Sequence, residues 1–196
     1  AYPQYVTITQ NSEKEGEKLK YGDEIEYKID VKNESKIRVY VNVQDYLPEG
    51  LDGVSGEYDK YVLKDGDHVF TEYDIEEEAN LQCDRVKETM DLRYKVNGKT
   101  GFDSTVLIPA GKTLTFVIKA KAGFVTETKE VSNFATVYGD YITSKTSNII
   151  KVFVLANGET PDPNPNPTPD PDPTPDPDPN PDPDPTPDDD KTYNIS

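Results

Sequence analysis

From residue 24 to residue 32 the chain alternates. Ile25, Tyr27, Ile29 and Val31 fall on one side, and Glu26, Lys28, Asp30 and Lys32 on the other. A period of two predicts a strand with one packed face and one wet face. The pattern returns as Ile37, Val39, Val41 and Val43 against Arg38, Tyr40, Asn42 and Gln44. Its clearest instance is Leu114, Phe116, Ile118 and Ala120 against Thr115, Val117, Lys119 and Lys121. Strands are also predicted over 131–138 and 146–154, the latter with Ile150, Val152 and Val154 inward. Shorter ones are predicted over 59–62, 69–73 and 91–96. The stretch 73–90, with Glu76, Glu77, Glu78 and Ala79, reads as a short helix or an acidic loop.

Turn chemistry separates these runs. Residues 33–36 are short and polar. Pro48 and Gly50 punctuate 47–51, where Asp45 is placed to accept backbone hydrogen bonds. Lys64-Asp65-Gly66-Asp67, Asn97-Gly98, Pro109-Ala110-Gly111-Lys112 and Gly139-Asp140 mark further turns. Roughly seven to nine short strands with regular turns predict an all-β fold, an antiparallel β-sandwich, with a barrel as the structural rival.

Composition divides the chain in two. Fourteen of its 17 prolines lie between Pro161 and Pro187, where every second residue is proline and the others are Asp, Asn or Thr. Each proline lacks an N–H and pushes the residue before it out of the helical region. The expectation is a disordered or polyproline-II tail that reaches roughly 80 Å when extended, at about 3.1 Å per residue. The domains expected are therefore a β-sandwich over 1–158 and an acidic proline-rich stalk over 159–196.

The net charge is −17, of which residues 160–196, with ten Asp and one Lys, supply −9. A field of this sign repels nucleic acid and anionic lipid and favours a soluble monomer. One His and one Cys provide no zinc set, no metal-ligand spacing and no internal disulfide, and no cofactor is implied. Cys83 is expected as a partly buried small hydrophobe. No run of residues is long and apolar enough for a transmembrane span or a signal-peptide core. A chain that begins at Ala1 is read as a processed or excised piece.

Three stretches carry a family resemblance. They are Tyr21-Gly22-Asp23-Glu24-Ile25-Glu26-Tyr27-Lys28-Ile29-Asp30-Val31-Lys32-Asn33, then Val43-Gln44-Asp45-Tyr46-Leu47-Pro48-Glu49-Gly50-Leu51, then Ile108-Pro109-Ala110-Gly111-Lys112-Thr113-Leu114-Thr115-Phe116. Val131-Ser132-Asn133-Phe134-Ala135-Thr136-Val137 and Thr146-Ser147-Asn148 follow in order. Together, over residues 21 to 154, they resemble the conserved tandem-repeat domain of bacterial surface proteins, the B-antigen type. The resemblance implies an extracellular, immunoglobulin-like sandwich on the cell wall or cell surface that serves as a spacer or scaffold. Its partners would be neighbouring modules of the same protein. The chain departs from the family in having one copy and an added acidic segment near 73–90.

Related surface domains form intramolecular isopeptide bonds between a lysine amine and an Asn or Asp side chain, assisted by a buried carboxyl. The candidates here are Lys28 or Lys32 with Asn148, and Glu26, Glu24 or Asp45 as the assisting acid. Lys28 falls on the polar phase of its strand, which favours a solvated lysine. A partner-binding site is expected at Tyr73, Glu76, Glu77 and Glu78. The tyrosines divide by strand phase: Tyr27 is core, and Tyr40, Tyr58, Tyr61, Tyr73, Tyr138 and Tyr141 are partly exposed. No catalytic set is found, so an enzyme is not expected. The functional expectation is a structural spacer on a stalk. The alternative is the ligand-binding head of an adhesin, directed at a host-surface protein or glycan.

Overall fold

A computed structural model of the chain describes residues 5–74, 77, 81–95 and 98–157. The stalk, Glu76, Glu78 and Asn97 lie outside the described residues. Thirteen β-strands and no helix are found among the described residues. They are β1 Val6–Asn11, β2 Lys18–Leu19, β3 Glu24–Asn33, β4 Val39–Tyr46, β5 Leu51–Asp65, β6 His68–Val69 and β7 Gln82–Asp91. Then follow β8 Gly101–Ile108, β9 Thr113–Ala122, β10 Lys129–Asn133, β11 Thr136–Gly139, β12 Ile142–Thr146 and β13 Ile150–Val154.

The strands form a sandwich that is antiparallel except for the short β2, which pairs parallel to β13. One layer runs β1-β3-β9-β5-β6, with β7 also paired to β5. The other is built from β12-β11-β4-β8 and β10-β13-β2. The period-two runs put their apolar residues between the layers. Ile25, Tyr27, Ile29 and Val31 of β3 share one buried cluster with Val39, Val41 and Val43 of β4, Leu114, Phe116, Ile118 and Ala120 of β9, and Ile150, Val152 and Val154 of β13. Burial of this apolar surface, at about 25 cal/mol per Å², is the main driving force for closing the two layers.

Several expectations are corrected. In the segment 73–90, thought to be a short helix or acidic loop, residues 82–90 belong to strand β7, which pairs with β5 from Ser55↔Asp91 to Lys64↔Gln82. Its sequence carries no apolar alternation because it sits at a sheet edge and is mostly exposed. Backbone pairing and cross-strand charges hold it instead. Lys64–Asp84 and Lys87–Glu57 approach to 3.2 Å, and Arg85 stacks over Tyr61 at 4.0 Å. That stacking helps bury Tyr61, expected to be partly exposed. Cys83, expected to be partly buried, is exposed on the same edge strand.

The strand expected over 91–96 ends at Asp91. Ile37 is exposed because β4 begins only at Val39 and residues 35–37 turn around the buried Asn33 side chain. The strands expected over 131–138 and 146–154 are each broken in two. At the break, Ser147 N–H donates to the Ala135 carbonyl and Ala135 N–H donates to Ser147 Oγ. A side-chain oxygen thus replaces one rung of the ladder, and the hairpin passes from one sheet of its layer to the next.

Candidate functional site

The residues proposed for a cross-link are not brought together. Lys28 and Glu26 project from the exposed face of β3. Asn148 lies beyond β1, so a whole strand stands between it and Lys28. Its side chain is already engaged: Gln10 N–H donates to Asn148 Oδ1, and Asn148 Nδ2 donates to the Gln10 carbonyl, each at 2.9 Å. The amide of Asn148 therefore stands in for a neighbouring strand along the edge of β1. Glu24 and Lys32 are exposed as well. No lysine is among the buried residues described.

Sequence reasoning missed a buried polar cluster, although Asp45 was named within it. Asp45 belongs to β4 and is 1 % exposed. It accepts no turn hydrogen bond of the kind expected. Asn133 Nδ2 donates to Asp45 Oδ2 at 2.9 Å and to Gln10 Oε1 at 2.7 Å. Gln10 Nε2 donates to the carbonyls of Asn133 and Asn148, at 3.0 and 3.2 Å. The strand phase of Val39, Val41 and Val43 was the signal that could have placed Asp45 inward.

Burial pushes the Asp45 carboxyl up to about 7, while the Asn133 hydrogen bond acts in the opposite direction. The Tyr27 phenol is also pushed up, first by burial and then by the nearby Asp45. Asp45 Oδ1, Asn133 Oδ1 and the Tyr27 hydroxyl have no hydrogen-bond partner among the described residues. Protonating Asp45 turns one of these acceptors into a donor. The arrangement contains an acid and an amide but no amine or other activated nucleophile among the buried residues. Burial lets the Asp45 carboxyl keep its proton to a higher pH than an ordinary aspartate.

Of the expected partner-binding residues, Tyr73 is 85 % exposed and Glu77 is exposed. Glu76 and Glu78 lie outside the described residues. The segment before them is tied down. Thr71 N–H donates to Asp74 Oδ2 at 2.6 Å, and the Arg38 guanidinium donates to the Asp74 carbonyl. Asp74 is held below its ordinary value, chiefly by the Thr71 backbone hydrogen bond. Among the described residues no group of three or more His, Cys, Asp or Glu is placed to hold a metal ion. No described helix is long and apolar enough to cross a membrane.

No protein-family model matches the chain, and no curated protein matches it. Solved structures do show likeness. A variant of BcpA, the major pilin subunit of Bacillus cereus, is 20% identical with a TM-score of 0.40, over 76% of this chain and 40% of that one. The full-length major pilin SpaD from Corynebacterium diphtheriae is 16% identical with a TM-score of 0.43, over 74% and 34%. The C-terminal domain of the Streptococcus agalactiae AgI/II polypeptide BspA is 11% identical with a TM-score of 0.40, over 74% and 49%. The chain thus spans half or less of each of these proteins, and at this level of similarity none assigns an activity.

Proposed function

We propose that the chain is an extracellular structural module of a bacterial cell-surface protein, a spacer whose domain is residues 1–158 and whose stalk is residues 159–196. One observation carries this reading. A single buried core takes in strands from β1 to β13, so the first and last strands of the sandwich are fastened to the same interior. A module built in this way transmits force through packed layers and has no loosely attached end strand. Prolines alternating with Asp, Asn and Thr would add reach to such a module, because charge repulsion between the aspartates and the missing N–H groups both favour an extended chain.

Lysine-reactive, membrane-impermeant labelling of intact cells of the source bacterium tests the location. The exposed lysines on β3 and β7 should be modified without lysis. Labelling that requires lysis refutes the reading. Pulling the full chain in a force spectrometer tests the mechanical role, with one cooperative unfolding event expected. Piecemeal release of strands at low force argues against a spacer.

A further inference from the structure

The two outer faces of the sandwich differ in chemistry. On the six-stranded layer, β3 and β9 place Glu24 opposite Lys121 and Glu26 opposite Lys119, a densely charged surface. On the sheet β12-β11-β4-β8 the outward rows are different. Thr136, Gln44 and Asp103 stand side by side across three strands, and Tyr138, Asn42 and Thr105 form the next row. Tyr46 borders the first row and is exposed. In a chain of net charge −17 these two rows carry one formal charge, Asp103, and no Lys, Arg or Glu.

That one charge is already committed. Tyr138 Oη donates to Asp103 Oδ2 at 2.6 Å, and Gln44 Nε2 donates to the same oxygen at 3.1 Å. Thr105 Oγ1 donates to Asn42 Oδ1 at 2.6 Å. The Asn42 NH2 and the Gln44 carbonyl have no intramolecular partner among the described residues. Side chains fixed in this way lose little freedom when a ligand arrives.

We propose that this face is a docking surface for an extended, uncharged polysaccharide of the cell envelope. The inference rests on the proposed role as a surface module. Aromatic rings stack on the C–H faces of sugar rings, and amides, hydroxyls and a carboxylate pair with sugar hydroxyls. The alternatives fit less well. A nucleic acid or other polyanion needs Lys and Arg, which the rows lack. A second copy or a protein partner needs an apolar centre, and the nearest apolar residue in the outward phase, Leu107, is itself buried. The two rows cross three strands that lie about 4.8 Å apart, so their donors and acceptors extend over roughly 10 Å, more than one sugar ring. The face therefore suits the side of a long chain rather than a single terminal sugar. For a module standing in the envelope, a neutral envelope polymer is the long glycan always within reach.

The test is a titration of the isotope-labelled full chain with linear neutral hexasaccharides of glucose, galactose, mannose and N-acetylglucosamine, read by amide and side-chain NMR shifts. At least one should shift Asn42, Gln44, Thr105 and Thr136 saturably and leave Glu26 and Lys28 unmoved. Asn42→Ala and Tyr46→Ala should each weaken that binding about tenfold, while Lys28→Ala should not. Half-molar salt should leave the affinity within about twofold, because no ion pair is involved. Purified neutral envelope polysaccharide should displace the hexasaccharide. Failure of every hexasaccharide at millimolar concentration overturns the inference, as do shifts that fall on the charged face instead. Binding of a host glycan that the envelope polymer cannot displace overturns the envelope assignment. Intact-cell labelling that succeeds while every sugar fails would sink this inference alone and leave the structural role in place.

Discussion

Replacing Asp45 with asparagine keeps the shape of the side chain and removes its titration. The carboxyl sits at about 7 in the folded chain against an ordinary value of 3.8, and burial is the first cause. As pH rises from 4 to 7 the unfolded chain gives up this proton while the folded chain keeps it. The unfolded state then binds fewer protons, so stability falls as pH rises across this window and levels off above it. Each unit is worth about 1.4 kcal/mol, so about three units make the full penalty on the order of 4 kcal/mol. Relaxation around the ionised group would reduce it. The introduced amide would still accept from Asn133 Nδ2 and would supply a permanent donor where protonated Asp45 supplies one. Urea unfolding of the full chain and of the D45N variant, measured in steps from pH 4 to pH 8, reads the difference directly and cancels the other acids. The two should be within about 1 kcal/mol of each other at pH 4. The variant should lead by about 2–4 kcal/mol at pH 8. Parallel stability curves across the whole range would show that Asp45 titrates as an ordinary carboxyl and would refute the reasoning.

Three further outcomes are expected. Gly101 has φ of +150°, and a Cβ there would lie 2.2 Å from the Asp45 carbonyl oxygen, so Gly101→Ala should destabilise the fold by about 3 kcal/mol or more in the same unfolding assay. Tyr61 Oη donates to the Thr113 carbonyl at 2.8 Å, and Tyr61→Phe should cost about 1 kcal/mol, with no change in near-ultraviolet dichroism beyond the lost phenol. The intact mass should equal that of the unmodified sequence, since no lysine is among the buried residues described. A mass lower by one ammonia, together with a lysine-linked pair of peptides after proteolysis, would establish a cross-link and refute that reading.

The legible parts of the fold were those in which burial and alternation coincide. β3 and β9 each bury one complete phase of their sequence, and the inward sets Ile25, Tyr27, Ile29 and Val31, and Leu114, Phe116, Ile118 and Ala120, were read correctly, while the last inward residue of each, Asn33 and Ala122, was read as turn. β7 was illegible because nothing in Gln82–Asp91 packs on a core in that regular way. Its strand state is imposed by the long partner β5, a contact between segments far apart in the chain that no local pattern records. The outer strand β1 was passed over for a related reason: its inward set is Val6, Ile8 and Gln10, so an amide interrupts the apolar series. Asp45 was misread in the same way. It continues the inward phase of Val39, Val41 and Val43, but its charge and the proline three residues later point to a turn. Polar residues in an inward phase thus hide strands and buried sites from a reading based on hydrophobicity.

The same polar residues explain how the sandwich closes. β1 lies at the edge of its sheet, with β3 as its one ladder partner among the described residues. Edge strands are the first to fray or to recruit a foreign strand. Here the Asn148 amide caps the open side of β1 at Gln10. The Gln10 side chain then crosses to Asn133, which reaches Asp45 on β4. This chain of bonds joins the edge of one layer to the interior of the other at the place where the β10/β11 and β12/β13 ladders are broken. A one-residue slip of β1 would place Thr9 or Asn11 where the Gln10 side chain now pairs with three polar groups, two of them buried, and would carry Val6 and Ile8 out to solvent. The cost of burying amides and an acid is therefore offset by fixing the register of a strand that has a ladder partner on one side alone. For a module whose proposed task is to keep its shape under load, that is where such a fastening has the most effect.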